Sequence, residues 1–337
     1  MKTRPAVLFS VTRVLCLLLL AVGYYTGGGT GGVNDGLYYD IYRFSCPQAE
    51  QVIFDVVQSY IHNDPTLAPA LLRMHFHDAF VQGADASVLI DSTPTNSAEK
   101  DAFPNKNSLR GFEVIDACKA VLEQQCPGVV SCADVLTVAA RDSVRLALGP
   151  FWDVPLGRRD GLTSSAAAAN ANLPSPLSNF QQLVNSFKGK GLNVNDLVIL
   201  SGAHTIGRTH CGFVNQRIYN FTGHGDADPS LNNGYVYQLK QECKPTDLTT
   251  AIPMDPYTPA IFDTQYYKSV SQNKGIFPSD AALLQGGFGG GGAYVSLYGA
   301  SPNAFFTAFP NSIVKMGRIG VLTGQQGQIR KNCRVVN

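Results

Sequence analysis

A mainly α-helical fold is what this 337-residue sequence predicts. Three observations carry it. Apolar residues recur at three- and four-residue spacing in one segment after another, as at Val52, Ile53, Val56, Val57, Tyr60 and Ile61. Strand-type alternation is rare and short. No repeat and no long linker interrupts the chain, so the length suits one large fold, in two lobes with a cleft between them.

Taken in order, the first stripe predicts a helix over 47–63. A second helix is expected over 68–82, where no Gly or Pro falls between Ala70 and Gln82 and Gly83 then breaks the run. Residues 91–106 are polar, contain two prolines and read as loop. Helical patterns return over 111–125 (Phe112, Ile115, Val121, Leu122) and 131–147 (Val135, Leu136, Val138, Ala139, Val144, Leu146). Residues 152–176 read as loop, with a Gly-Arg-Arg-Asp160 turn and an Ala/Asn run. A helix over 177–188 stops at the glycines Gly189 and Gly191. Another runs from Asn195 toward Gly207 and carries His204 near its end. Further helices are expected over 209–219, 231–242, 264–272 and 278–284. A Gly-rich loop, 285–292, follows, then a last helix over 302–317 that Pro310 should kink.

Composition excludes some partners. Charged residues are 15% and the formal net charge is +1, so neither nucleic acid nor an anionic membrane surface is implied. At the N-terminus, Lys2, Arg4 and Arg13 precede the apolar run Val14–Gly23. That run is too short to span a bilayer and fits a secretory leader. Residues 1–30 are therefore assigned to a signal peptide and flexible N-terminus, and 31–337 to a single domain. Of eight cysteines, Cys16 lies in the leader; the others are Cys46, Cys118, Cys126, Cys132, Cys211, Cys243 and Cys333. In an oxidising compartment most should pair, and the odd number leaves one over; spacing alone does not assign the pairs. Asn220-Phe-Thr222 is a glycosylation sequon.

The chemistry concentrates in Leu71–Asp91. Arg73 and His77 are four apart and share one helix face. A fixed cation beside an imidazole suits proton transfer coupled to stabilisation of developing negative charge. Asp78, Asp85 and Ser87 place hard oxygen ligands around the break at Gly83, as a Ca²⁺ ion would use. Plainer readings compete: His75 or His77 as a buried structural histidine, and the aspartates as helix-end and turn residues. A zinc set of His75, His77 and Asp78 is a weaker alternative, because residues two apart on a helix face different ways and no further ligand cluster is in view.

Five motifs then point to a family: Arg73-Met-His-Phe-His-Asp78, Cys126-Pro-Gly-Val-Val-Ser-Cys-Ala-Asp134, Val154-Pro-Leu-Gly-Arg-Arg-Asp160, Leu200-Ser-Gly-Ala-His-Thr-Ile-Gly207 and Lys331-Asn-Cys333. From Gly36 to Asn337 the chain resembles the class III haem peroxidases, the secretory plant peroxidases. The resemblance implies their fold, two helical lobes with haem between them and few short strands. It implies one haem b, held non-covalently since no Cys-x-x-Cys-His motif is present. It also implies reduction of hydrogen peroxide and one-electron oxidation of small phenolic donors. A monomer is expected, in the extracellular space or cell wall, because only four residues follow Cys333 and vacuolar members carry an extension.

By the same resemblance His77 is the distal acid–base group, Arg73 stabilises the breaking O–O bond and Phe76 packs beside the haem. Asn105 holds the distal histidine, with Glu99 in the supporting network and grouped with the distal metal residues. His204 is the proximal iron ligand, Asp280 the carboxylate behind it, and Pro174 lies at the aromatic-substrate edge. Two Ca²⁺ ions are implied. The distal one would use Asp78, Val81, Gly83, Asp85 and Ser87. The proximal one would use Thr205, Asp255, Thr258, Ile261 and Asp263, whose aspartates and threonine fall at positions one, four and nine of one segment. The family's disulfides map onto Cys46–Cys126, Cys132–Cys333 and Cys211–Cys243, leaving Cys118 unpaired. The chain departs from the family at Ala79 and Ala84, where a short distal disulfide would close; its absence should weaken the distal Ca²⁺ site. A rival expectation is a Ca²⁺-stabilised extracellular binding protein that keeps the fold and has lost turnover; intact Arg73, His77, His204 and Asp280 argue against it.

Overall fold

The computed structural model of the chain describes residues 35–285 and 290–337. The expected leader and residues 286–289 of the Gly-rich loop lie outside them. The helices α1 (Ala49–Asn63) and α2 (Leu67–Val81) follow the two N-terminal stripes closely, and α3 (Phe112–Gln125) and α4 (Cys132–Leu146) match the next two. Helix α2 is buried nearly all round, from Leu71 and Met74 to Ala79 and Phe80, its polar His75, His77 and Asp78 included. It lies against α4, which also supports α1 and α3. Ser131 caps α4 by accepting a bond from the Asp134 N–H at 3.0 Å.

The Ala/Asn run contains a helix, α5 (Ala166–Asn172), where loop was expected. Four successive alanines are the best helix formers, and the Ser165 hydroxyl caps the first turn from 3.2 Å. The preceding Gly-Arg-Arg-Asp turn is a structural hub. The Arg158 guanidinium donates to the Gly317 carbonyl and pairs with Asp134 at 3.0 Å, while Asp160 accepts from the Ala133 and Arg330 amides.

Helix α6 (Phe180–Gly189) opens with an Asn179/Gln182 capping box, and α7 (Val194–Ser201) with an Asn193/Asp196 box. The predicted helix toward Gly207 stops earlier: α7 ends at Ser201 and a tighter 3₁₀ turn, Gly202–Thr205, carries His204. Gly202 permits this, since a Cβ there would sit 2.3 Å from the Tyr267 hydroxyl. The helix expected over 209–219 is corrected as well. Strand β1 (Arg208–His210) comes first and only α8 (Asn215–Tyr219) is α-helical. Thr209 is β-branched, and the segment finds an antiparallel partner in β2 (Ala251–Pro253), with Thr209 opposite Ile252. Helix α9 (Asn233–Glu242) lies between the two strands in the chain.

Helices α10 (Gln265–Ser271) and α11 (Pro278–Ala282) lie where expected. A helix the sequence hid, α12 (Gly291–Ala300), follows. Its opening glycines disguised the Val295/Tyr298 stripe, and Gly291 is required because a Cβ would stand 2.4 Å from the Leu283 carbonyl oxygen. The last helix, α13 (Pro302–Met316), continues through Pro310, so the expected kink does not end it. One large core gathers α1 to α4, α7, α10, α12 and α13; a second lies under α8, α9 and β2. Among the described residues no helix is long and apolar enough to cross a membrane.

Disulfides join Cys46 to Cys126, Cys132 to Cys333 and Cys211 to Cys243. Cys118 stays free on the buried face of α3. Burial foremost, and then the Asp142 charge, push its thiol up to about 12, so it is inert at neutral pH. Thiol labelling of the denatured, non-reduced protein without its leader should find one reactive group, at Cys118. Labelling elsewhere, or none, would contradict this pairing.

Candidate active site

Helix α2 holds His77 one turn beyond Arg73. The His77 ring is buried, and its Nδ1 lies 2.6 Å from Asn105 Oδ1. The Asn105 Nδ2 donates to the Glu99 carbonyl oxygen at 2.8 Å, an atom that only accepts. That bond orients the amide, so Oδ1 faces the ring and Nδ1 must be the protonated nitrogen. Nε2 is left with its lone pair. Burial first, and the Arg73 charge second, hold the imidazole well below its ordinary pKa, while the Asn105 bond acts the other way. His77 is therefore a neutral base with a defined tautomer.

The Arg73 guanidinium donates to the Ser108 carbonyl at 3.0 Å, the Pro104 carbonyl at 2.9 Å and the Ser108 hydroxyl at 3.1 Å. Burial pulls its pKa down to about 10, still far above neutrality. Among the described residues it has no carboxylate partner, and three bonds leave some of its five N–H donors free. The positive charge is thus placed but not neutralised. Phe76 stands edge-on to His77, with ring centroids 5.3 Å apart. His75, two residues before His77, is structural in placement. Both its ring nitrogens are buried without partners, burial and Arg158 push it down to about 3, and it faces a cavity of about 10 Å³ beside Thr137 and Trp152.

On the 3₁₀ turn after α7, the His204 Nδ1 lies 2.9 Å from Asp280 Oδ1. Asp280 sits in the first turn of α11. Its Oδ1 also accepts from the Tyr266 hydroxyl at 2.9 Å, and its Oδ2 from the Phe277 N–H at 2.8 Å. Burial alone would raise this carboxyl; the His204 ring and these donors outweigh it and hold it below the usual carboxylate range. The His204 side chain is 39% exposed while the carboxylate behind it is 2% exposed. An imidazole anchored by one nitrogen to a buried carboxylate, with the other nitrogen unpaired and open, is arranged to coordinate something outside the chain. The rings of Tyr266 and Phe277 flank it edge-on, at 5.8 and 5.7 Å. The residues therefore fit haem held through His204. Pro174 lies half-buried just after α5, in a turn that the Pro176 carbonyl ties to the Ser279 N–H beside Asp280.

The distal oxygen cluster is assembled around the end of α2. Asp78 Oδ2 accepts from the Ala86 N–H and Oδ1 from the Val88 N–H, at 2.9 and 3.3 Å. Asp85 accepts from the Ser87 N–H at 3.0 Å, and the Ser87 hydroxyl is buried with no partner. Burial, then the charges of Asp85 and Glu99, raise the Asp78 carboxyl well above normal, and burial lifts Glu99 to about 7. Arg330, fully buried, donates to the Ala86 carbonyl but stands 3.9 Å from Asp160, an ion pair without a hydrogen bond. Crowded buried carboxyls and an orphaned hydroxyl fit a hard cation. No group of three or more His, Cys, Asp or Glu side chains converges as a metal cage among the described residues, so backbone carbonyls would have to supply much of the shell. Of the expected carbonyls, that of Val81 accepts from Lys190 and that of Gly83 from the Asp85 N–H. Gly83 has no substitute here, since its φ is +131° and a Cβ would stand 2.5 Å from the Gly320 oxygen.

The second oxygen group is also drawn together. Thr205 Oγ1 donates to Asp263 at 2.9 Å, and Thr258 Oγ1 to Asp255 at 2.8 Å. Burial chiefly, with Asp263 contributing, raises the Asp255 carboxyl. Ile261 is partly exposed, its N–H bonded to the Thr258 carbonyl. Three participants escaped the sequence reading: Tyr266 behind Asp280, Ser108 behind Arg73, and Arg330 among the distal acids. Only Ser108, three residues after Asn105, carried a local signal.

With this geometry in view, a family profile described as Peroxidase matches residues 53–297. The chain is 47% identical to Peroxidase 9 of Arabidopsis thaliana over 333 residues, 98% of this chain and 96% of that one. It is 48% identical to Peroxidase 56 of the same plant over 325 residues, 96% and 98% of the two chains. To Peroxidase 5 of Vitis vinifera it is 46% identical over 339 residues, the whole of both.

Proposed function

The chain belongs to the class III haem peroxidases of plants, and from that premise we propose that it reduces hydrogen peroxide at a site built from His77, Arg73 and Asn105 on one side and His204 and Asp280 on the other. The observation that carries the proposal is the pair of oppositely prepared histidines. One is buried, neutral and held through Nδ1 so that Nε2 is a base. The other is open and anchored to a carboxylate so that Nε2 is a ligand.

Haem b, held non-covalently, would supply the redox chemistry by which two electrons from successive phenolic donors reach the peroxide. His204 would hold it through Nε2, while Asp280 keeps the Nδ1 proton and makes the ring a stronger donor. His77 Nε2 removes the proton from one peroxide oxygen and returns it to the other, which leaves as water. Asn105 holds the Nδ1 proton throughout, so the ring is neutral again when the step ends. Arg73 offers its unneutralised charge to the oxygen that becomes negative as the O–O bond breaks. Phe76 shields the ring of His77, and Pro174 borders the path of aromatic donors.

Two Ca²⁺ ions belong to the same proposal. The distal one is held by Asp78, Asp85, Ser87 and the Val81 and Gly83 carbonyls, near Glu99. The proximal one is held by Thr205, Asp255, Thr258, Ile261 and Asp263. So do a leader over 1–30, a single peroxidase domain over 31–337, export to the extracellular space or cell wall, and a monomeric state; three disulfides support the oxidising compartment. An absorption spectrum of the purified protein tests the core of the reading. A Soret band that shifts on adding hydrogen peroxide is expected, and a protein that stays colourless after haem is supplied would sink it.

A further inference from the structure

Helix α2 carries Arg73 and His77 and ends at Val81, whose carbonyl has no acceptor role left within the helix. The Lys190 Nζ donates to that carbonyl at 3.2 Å and to Asn172 Oδ1 at 3.1 Å. Asn172, the last residue of α5, is itself oriented, because its Nδ2 donates to the Ala168 carbonyl at 2.9 Å. Lys190 follows α6 as its C-cap, in a turn closed by Gly191 N–H to the Lys188 carbonyl and Leu192 N–H to the Phe187 carbonyl. Phe187, in the same turn of α6, packs against Phe80 of α2 with centroids 4.9 Å apart. One ammonium therefore ties together the ends of α2, α5 and α6. It has no carboxylate partner among the described residues; its charge is directed at helix-end oxygens, where a cation is favoured.

The segment just beyond Val81 is held by hydrogen bonds alone. Ala79 and Ala84 are buried, at 0% and 1% exposure, and no covalent bond joins them. From outside, Arg330 donates to the Ala86 carbonyl, the Gly161 N–H to the Asp85 carbonyl and the Ala84 N–H to the Ile319 carbonyl, while before Gly83 the Gln82 side chain bonds Glu99 and Thr163 at 3.1 Å; the Lys190 bond is the one that grips the helix end itself. We propose that Lys190 is a positioning residue: it clips the C-terminal end of α2 and so orders the loop 82–88 that a cross-link between positions 79 and 84 would otherwise hold. A distal cation held by Asp78, Asp85, Ser87 and the Gly83 carbonyl then meets a loop that is already placed, and at the Val81 oxygen it would share the carbonyl with the ammonium. Only this last consequence rests on the calcium reading given above; the clip itself does not.

The test is hydrogen exchange, read by mass spectrometry on the haem-loaded protein, over residues 82–88. The reporters are the amides of Ala84, Ala86, Ser87 and Val88, each bonded in the structure. Lys190→Met keeps the aliphatic stem and removes the ammonium. In EGTA it should speed exchange of these amides about tenfold, as loss of a partly exposed charged donor implies. Lys190→Arg should restore most of the protection. In an Ala79→Cys, Ala84→Cys background with the bond confirmed by mass, the effect of Lys190→Met should largely disappear, since the bond and the lysine restrain one loop. Unchanged exchange in Lys190→Met, or an equal increment in both backgrounds, would overturn the proposal. Added Ca²⁺ should slow exchange of Lys190→Met again. If it does not while the other arms hold, the distal calcium reading fails and the clip stands supported.

Discussion

His77→Ala should slow the reaction with hydrogen peroxide by about 10⁴-fold, the upper end for a general acid–base group, while haem stays bound. The upper end applies because one ring acts twice, first as base and then as acid. The tautomer is what makes this possible. The Glu99 carbonyl fixes the Asn105 amide, the amide fixes the Nδ1 proton, and Nε2 is left as the single basic atom. Stopped-flow absorbance on mixing with peroxide is the measurement, and a rate within tenfold of the parent would remove His77 from the mechanism. Arg73→Leu should slow the same step less, since it removes charge stabilisation but leaves the proton path. The pH profile follows in sign. Protonation destroys the base, and burial with the Arg73 charge holds the imidazole well below its ordinary value. The acid limb of the peroxide reaction should therefore fall well below pH 6.5, the ordinary histidine value.

Local pattern makes the Arg73–His77 pair and the Asp78, Asp85 and Ser87 oxygens legible, while Asn105, His204 and Asp280 come only with the resemblance. Arg73 and His77 share a helix face by spacing alone. What spacing does not show is who stands behind each group. Tyr266 reaches Asp280 across a turn, and Lys190 meets Val81 from 109 residues away. Such partners are set by packing of α6 and α10 against other elements, which leaves no periodic trace. The helix errors have similar causes. Glycines at the start of α12 serve a close approach to Leu283, and in sequence such glycines read as loop. The segment over 209–219 reads as helix in sequence because its strand is three residues long and its partner lies beyond α9. Haem itself was never in the spacing; it came with the resemblance and then with the likeness to plant peroxidases.

Asp280→Asn should leave the fold intact, raise the Fe(III)/Fe(II) midpoint potential and cost about 10–100-fold in haem affinity or activity. Three donors converge on this carboxylate: His204 Nδ1 and the Tyr266 hydroxyl on Oδ1, and the Phe277 N–H on Oδ2. An asparagine cannot serve all three. If its oxygen keeps His204 and Tyr266, its NH₂ faces the Phe277 N–H and the first turn of α11 loses its cap, at a cost of about 1 kcal/mol. If the amide flips, the cap survives and NH₂ opposes the His204 N–H. In either arrangement the full negative charge behind the ring is gone. That charge favours the ferric state, so its loss moves the potential upward. Tyr266→Phe supplies the opposite control. Removing one donor leaves the carboxylate a stronger acceptor for His204, and the potential should fall slightly. Spectroelectrochemical titration of the two variants beside the parent decides the matter. A potential that is unchanged or lower in Asp280→Asn would mean that the carboxylate orients the ring without tuning it, because a change of charge this close to the ligand cannot leave a coupled redox centre unmoved.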